Sequence, residues 1–176
     1  RQIENGNVYN TFLQKFENKD IAILDGKFYY ISNNMKELKA KNIVDCRDKY
    51  IIPGFIDIHM HIESSMTVPN QFSKVVLPHG VTTVVADPHE IANVLGIDGI
   101  NYFLSSDTTL DIFYGIPSSV PSTNSDLETT GGKILEEDVL ELLKNPKIMC
   151  LGEVMNFKDL VSKDNTLIKK IIKICK

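Results

Sequence analysis

Cysteine and long apolar runs are scarce in this sequence of 176 residues. Its three cysteines, Cys46, Cys150 and Cys175, are too few and too widely spaced for a disulfide framework or a thiolate zinc site. We therefore expect a reduced, cytoplasmic compartment. The apolar run at 49–58 is interrupted by proline, glycine and aspartate, and no run approaches the roughly 20 residues of a membrane helix. No membrane partner is expected.

An excess of positive charge is also missing. The chain has 19 Lys and Arg against 23 Asp and Glu, a net charge of −4, so the composition predicts no nucleic-acid partner. Residues 1–10 are polar and are not followed by the apolar stretch of a signal peptide. The chain begins with Arg1 and ends within an amphipathic run, 167–174, that lacks a closing glycine. We interpret it as part of a longer protein.

The first 48 residues carry the pattern of short β-strands. Strands are predicted at 7–12, 21–24, 28–31 and 42–45. Asp25-Gly26 lies between the second and third of these, and this dipeptide is a strong signal for a two-residue hairpin turn. The segment is therefore predicted to be meander-like β structure.

From Tyr50 the pattern changes to alternating strands and helices. Residues 50–58 are almost continuously apolar, as in a strand that is buried on both faces. Further strands are predicted at 81–86, 110–116 and 148–154. Helices are predicted at 69–77, at 91–104 with breaks at Gly96 and Gly99, at 135–144 and in the terminal run. This alternation without an internal repeat indicates a parallel α/β architecture, for which a doubly wound sheet and part of a (β/α)8 barrel fit equally.

Two histidines, His59 and His61, follow the apolar run directly. Residues i and i+2 of a strand point to the same side, so both imidazoles can bind one divalent ion. The carboxyl ends of the strands are where parallel α/β folds place their sites. Asp57 lies on the same face, where a carboxylate can orient a ligand imidazole. The alternative is that two histidines merely coincide at a strand end.

The other candidate residues each have two interpretations. Glu153 closes the last predicted strand and is either a metal ligand or a surface acid. His89 is either a hydrogen-bond or proton partner at the site or, with Glu90 as the capping acid, part of a helix start. Glu63 either contacts substrate or caps the segment that follows it. His79 lies between a helix and a strand, at the opposite end of the strands, and is interpreted as structural.

Residues 53–61, Pro-Gly-Phe-Ile-Asp-Ile-His-Met-His, resemble the first-strand motif of the amidohydrolase superfamily. The upstream hairpin is similar to that superfamily's layout, in which a small β domain precedes a metal-dependent barrel. Three more segments, 62–66, 87–94 and 152–156, resemble the members that deaminate adenine rather than dihydroorotase, urease or allantoinase. The resemblance runs from about Val44 to Asn156.

The resemblance implies a fold and a set of site residues. Residues 49–176 would be the first four β/α units of a metal-dependent (β/α)8 TIM-like barrel, preceded by an N-terminal β-strand segment, 1–48, of a small β-sandwich-like domain. His59 and His61 would bind one metal ion, and Glu153 would bridge to a second in a binuclear divalent centre. Manganese or iron suits such ligands best, and zinc is compatible with them. His89 and Glu63 would be the catalytic residues.

The implied reaction is hydrolytic deamination of adenine to hypoxanthine and ammonia by a metal-activated hydroxide, a step of purine salvage. The partner is then a small purine base, and the longer protein is expected to be a homo-oligomer. The alternatives are another cyclic amidohydrolase, a polymerase-associated or phosphoesterase metal domain, and a non-catalytic scaffold with the same fold. The superfamily takes further ligands from its fifth, sixth and eighth strands. The isolated 176 residues are therefore expected to be inactive and prone to associate.

Overall fold

In the computed structural model, which describes residues 1–33, 35 and 38–176, the chain divides between Pro53 and Gly54 into two units. The first unit holds a five-stranded sheet. Its strands are β1 (Gln2–Asn10), β2 (Lys15–Leu24), β3 (Lys27–Ser32), β4 (Ile43–Asp45) and β5 (Tyr50–Ile51). β1 is the centre of the sheet, antiparallel to β2 and parallel to both β4 and β5, and β3 pairs with the far side of β2.

The hairpin between β2 and β3 turns at the predicted dipeptide. Asp25 and Gly26 have φ values of 50° and 74°, and a type I′ turn requires positive φ at both central residues. Glycine adopts this conformation without strain, and aspartate tolerates it better than most residues. The predicted hairpin is confirmed. Strand β2 extends beyond the predicted 21–24 because its polar residues, such as Glu17 and Asn18, pair with β1.

The predicted strand 50–58, buried on both faces, is wrong in two respects. The segment forms two strands, β5 in the first unit and β6 (Phe55–Met60) in the second. Pro53 lies between them and has no N–H to donate to a ladder, which favours the break. β6 is also largely exposed, with Ile58 78% accessible, since it is the edge strand of its sheet. Because β5 pairs with β1, residues 50 and 51 belong to the first unit, which ends at Pro53.

The second unit alternates parallel strands with helices. After β6 come α1 (Pro69–Val76), β7 (Val81–Ala86), α2 (His89–Leu95), α3 (Ile97–Leu104), β8 (Asp111–Ile116), α4 (Glu136–Leu142), β9 (Ile148–Leu151), α5 (Phe157–Val161) and α6 (Leu167–Ile174). The strands pair in parallel in the order β6-β7-β8-β9. All four carboxyl ends therefore lie at the same edge of the sheet.

Most predicted elements of this unit are confirmed, with four differences. The predicted helical segment 91–104 begins earlier, at His89, and its predicted break at Gly96, whose φ is 59°, is confirmed and separates α2 from α3. Gly99, the other predicted break, lies inside α3. β9 ends at Leu151, so Glu153 stands in the segment after the strand. Helix α5 was not predicted from the sequence. None of the helices in the described part of the chain has the length and apolar character that crossing a bilayer requires.

The core of the second unit lies between the sheet and its helices. Tyr114 of β8 is buried at its centre, and its hydroxyl donates a hydrogen bond to Phe103 O at 3.2 Å. Burial, together with the charge of Glu63, raises the pKa of Tyr114. The buried core comprises Ile62, Phe72, Val84, Ala86, Ala92, Ile100, Phe103, Leu104, Leu110, Ile112, Tyr114, Ile116, Ile134, Val139, Leu142 and Ile171.

The connection from β8 to α4, residues 117–135, is fastened to helix α2. Gly131 N donates to Asn93 O at 2.8 Å, and Thr130 Oγ1 donates to the same oxygen at 3.1 Å. Gly132 lies so close to Gly96 that a Cβ on Gly132 would overlap the Gly96 main chain. This contact therefore requires glycine at position 132.

The variant Gly132→Ala is expected to lower the free energy of unfolding by about 1–3 kcal/mol, because the main chain must shift to admit the methyl group. The neighbouring Lys133→Ala, whose side chain is exposed, should change it by less than about 0.5 kcal/mol. Chemical denaturation of both variants beside the wild type measures the difference. Equal stability of Gly132→Ala and the wild type would contradict the close approach.

Candidate metal centre

The candidate ligands come from three strand ends. His59 lies in β6, His61 follows that strand, and Glu153 stands two residues after β9. Asp87 directly follows β7, and His89 is the first residue of α2. The parallel sheet brings these ends together at one edge, which is where such folds place their sites.

His59, His61 and Glu153 converge on one point. His59 Nε2 lies 2.9 Å from Glu153 Oε1, and His61 Nε2 lies 3.6 Å from Glu153 Oε2. The three ligand atoms of this group lie within 4.8 Å of one another. Imidazole nitrogens and a carboxylate at such spacing fit a divalent transition-metal ion. The structure thus brings together all three residues that the sequence predicts as metal ligands.

The His61 ring is oriented by the main chain. Its Nδ1 lies 2.8 Å from Asp87 O, so a proton on Nδ1 donates to that carbonyl and Nε2 is left with a lone pair facing Glu153. Hydrogen bonds of this kind select the tautomer of metal-binding histidines. This arrangement supports the metal interpretation over a chance pair of histidines.

Acidic neighbours raise the pKa of His61. Partial burial lowers the pKa of the ring, but the negative charge of Glu90, 3.3 Å from Nδ1, opposes it, as do the contact with Asp87 O and the charges of Asp87 and Glu153. The net direction is upward from the ordinary value of 6.5. These acids favour protonation of the His61 ring, so a metal cation at Nε2 has to compete with a proton for that nitrogen.

Asp87 and His89 form a buried pair beside Glu153. They are 2% and 5% exposed, and His89 Nδ1 lies 2.6 Å from Asp87 Oδ1. The contact has the distance of an ion pair but not the alignment of a hydrogen bond, and His89 Nε2 has no hydrogen-bond partner among the described residues. Asp87, His89 and Glu153 also make a second group whose ligand atoms lie within 4.8 Å of one another.

Asp87 also sets the position of Glu153. Its Oδ2 accepts a hydrogen bond from Glu153 N at 2.6 Å. The adjacent Gly152 leaves the room for this carboxylate, since a Cβ there would overlap Asp87 Oδ2. Asp87 was not among the site residues predicted from the sequence. One feature of the sequence could have indicated its role. Asp87 lies two residues before His89 at a strand end, and Asp57 has the same spacing to His59.

The structure places Glu63 under helix α2. Glu63 Oε1 accepts a hydrogen bond from Ile91 N at 3.0 Å, so this side chain caps a free N–H in the first turn of α2. Burial raises the pKa of Glu63. Glu63 therefore caps helix α2, whereas the sequence predicted that, if it capped a segment, that segment would be the one directly following Glu63. Its catalytic role stays a prediction.

Glu90, considered as a capping acid, instead turns toward the site. Its Oε1 accepts a hydrogen bond from Ser64 Oγ at 2.9 Å, and its Oε2 faces His61. Asp57 accepts from His59 N at 3.1 Å, so it holds the main chain at His59 and its recorded contact is not with the imidazole. His79 is exposed in a short 3-10 turn before β7 and belongs to neither ligand group.

A cavity of about 570 Å³ opens beside these side chains. Its volume is within the usual range for small-molecule sites. His61, His89, Glu90 and Glu153 line it together with Asn93, Val94, Ser122, Glu128, Thr129 and Met155. Three of these, Ser122, Glu128 and Thr129, come from the 117–135 connection, for which the sequence predicted no chemistry.

The sequence is similar to known hydrolases. The amidohydrolase family model matches residues 50–176. The adenine deaminase of Clostridium perfringens (strain 13 / Type A) is 59% identical over 175 residues, which cover 99% of this chain and 31% of that protein. The adenine deaminase of Lactobacillus delbrueckii subsp. bulgaricus is 51% identical over 174 residues, with the same coverage of 99% and 31%. This chain spans about a third of the length of these curated relatives.

The fold is shared with solved structures. A crystal structure of a dihydroorotase superposes with a TM-score of 0.58 at 18% identity, covering 99% of this chain and 47% of that one. With the parallel order β6-β7-β8-β9 and the family match, this similarity confirms the predicted fold class. The second unit is the first half of a (β/α)8 TIM-like barrel, and the alternative of a doubly wound sheet is excluded.

Removal of a ligand side chain should weaken metal binding. Loss of a group that only supports a ligand costs about 10–100-fold in affinity, so His59→Ala and Glu153→Gln are each expected to cost more than about 100-fold. His79→Ala serves as the matched control and should bind metal as the wild type does. Equilibrium titration of the metal-free proteins with Mn²⁺ measures the dissociation constants. Unchanged affinity in His59→Ala would refute the assignment.

Metal binding should also weaken as the pH falls. Because the pKa of His61 is raised, its ring stays protonated to a higher pH than an ordinary histidine, and binding is lost as the pH falls through that raised pKa. Glu90→Gln removes the largest charge that raises it, so the midpoint of this loss should move to lower pH. Measuring Mn²⁺ affinity between about pH 5 and 8 for the wild type and Glu90→Gln tests the direction of this shift. A midpoint that stays in place or moves upward speaks against the role of Glu90.

Proposed function

The chain belongs to the amidohydrolase family, and on that premise we propose that the whole protein is an adenine deaminase, which hydrolyses adenine to hypoxanthine and ammonia. The observation that carries the proposal is the convergence of His59, His61 and Glu153 at the edge of a cavity large enough for a purine base. The names of the curated relatives support adenine over other cyclic substrates. A role in purine salvage follows from that reaction.

We assign the metal site to residues that fit it. His59 and His61 would hold one ion, and Glu153, with an oxygen toward each ring, would also be a ligand for a second. Manganese or ferrous iron suits this set of nitrogen and oxygen donors, and zinc is compatible with it. A divalent ion held by these residues would lower the pKa of water toward neutrality and would so supply hydroxide for hydrolysis at ordinary pH.

Proton transfer is assigned to a residue of the chain itself. In the overall reaction a bond forms between water oxygen and C6 of adenine, the bond from C6 to the exocyclic nitrogen breaks, and ammonia leaves. A proton must move from the water to the departing amine. His89 is suited to carry it, because it lines the cavity, is held beside Asp87, and keeps Nε2 free of hydrogen bonds within the described chain.

Ammonia release from adenine by the full-length protein, reconstituted with Mn²⁺, tests the proposal. We expect stoichiometric hypoxanthine, no activity in His59→Ala or Glu153→Gln, and full activity in the control His79→Ala. His89→Asn should lower kcat by about 10²–10⁴, the usual contribution of a general acid or base. The 176-residue chain alone is expected to be inactive.

Two outcomes would change the proposal in different ways. No turnover of adenine by a protein that binds two metal ions would keep the family and discard the substrate. Normal turnover by Glu153→Gln would discard the ligand assignment while the substrate stands.

A further inference from the structure

The 117–135 connection, which does not supply the metal ligands, forms one wall of the same cavity. Ser122, Glu128 and Thr129 of this connection face the space that His61, His89 and Glu153 also line. A substrate with its reacting carbon at the metal ligands therefore presents another part of its surface to this wall. The wall residues can therefore contact and recognise a part of the substrate that does not react.

The wall is held in a fixed position relative to the site. Two hydrogen bonds from Thr130 and Gly131 end on Asn93 O, and Asn93 belongs to α2, the helix that begins with His89. The glycine contact between residues 96 and 132 adds a main-chain approach that tolerates no larger residue at 132. A side chain on this wall is thus prepositioned for recognition, which lowers the cost of ordering it on binding.

Glu128 is the charged side chain of the wall, and one of its two carboxylate oxygens already accepts a hydrogen bond. Its Oε2 accepts a hydrogen bond from Thr123 N at 2.9 Å, and its own N donates to Asn124 O at 3.0 Å. Within the described chain Oε1 accepts no hydrogen bond, and no lysine or arginine lines the cavity. A carboxylate is an acceptor only, so Oε1 requires a donor from water or from a ligand.

A free purine base offers such a donor. Apart from the amine that leaves from C6, the N–H of adenine is on its five-membered ring, and a substituent at N9 removes it. We propose that Glu128 Oε1 accepts this ring N–H and thereby selects free purine bases over purines substituted at N9. This inference rests on the proposed function and deepens it. A site that hydrogen-bonds a substrate N–H discriminates strongly against analogues without it, because its own polar group is then left unpaired.

The test compares adenine with 9-methyladenine in the full-length, Mn²⁺-loaded protein. Glu128→Gln keeps the size of the side chain and removes its charge, and Glu137→Gln is the matched control at an exposed position outside the cavity. The wild type should prefer adenine by at least about 100-fold in kcat/KM. In Glu128→Gln this ratio should fall by about 10- to 100-fold, through a higher KM for adenine with little change in kcat.

Three results would overturn the inference while the proposed function stands. They are a wild type that turns over both purines equally, an unchanged ratio in Glu128→Gln, and an equal loss for both purines, which indicates a structural role. If the variant fails to fold, Glu128→Leu is measured in its place.

Calorimetric binding of purine and 9-methylpurine separates the two proposals. If the wild type deaminates neither substrate but prefers purine in a Glu128-dependent way, the function fails and the inference holds. If neither turnover nor this preference is seen, both fail.

Discussion

Asp87 contacts three of the polar residues on which the candidate site depends. Its main-chain oxygen faces His61 Nδ1, its Oδ2 accepts from Glu153 N, and its Oδ1 lies beside His89. A carboxylate that is 2% exposed is stable only when donors compensate its loss of hydration. Here Glu153 N, just after β9, donates to Oδ2, and the His89 ring at the start of α2 lies at ion-pair distance from Oδ1. The same buried charge therefore joins three elements and orients the groups assigned to the metal and to proton transfer.

Close approaches of this kind explain three glycines around the site. Gly152 has no side chain because the Asp87 carboxylate occupies that space. Gly96 and Gly132 allow the 117–135 connection to reach α2, so the wall of the cavity is anchored to the helix that carries His89. The polar site is thus supported by close main-chain packing. The proposed recognition by Glu128 depends on this rigidity, as the proposed chemistry depends on Asp87.

The elements whose local sequence signals agree were predicted well. Asp25-Gly26 specifies its turn through backbone dihedral preference, and β7 and α1 follow apolar periods that need no distant partner. The run 50–58 was predicted wrongly because apolarity alone does not show where pairing changes. Residues 50 and 51 pair with β1, whereas residues 55–60 pair with β7. Helix α5 was missed because five residues are too short for a helical period to stand out.

The sequence by itself determined the alternation of strands and helices, the two histidines on one face of a strand, and the acid that follows a later strand. These are local facts, since side-chain direction in a strand and periodic apolarity are set by neighbouring residues. Only the tertiary structure decided that Glu153 meets both histidines, that Glu63 lies under α2, and that Glu128 faces the same cavity. The reason is physical: these contacts join residues up to 94 positions apart, and their distances depend on how the sheet pairs and where the loops dock.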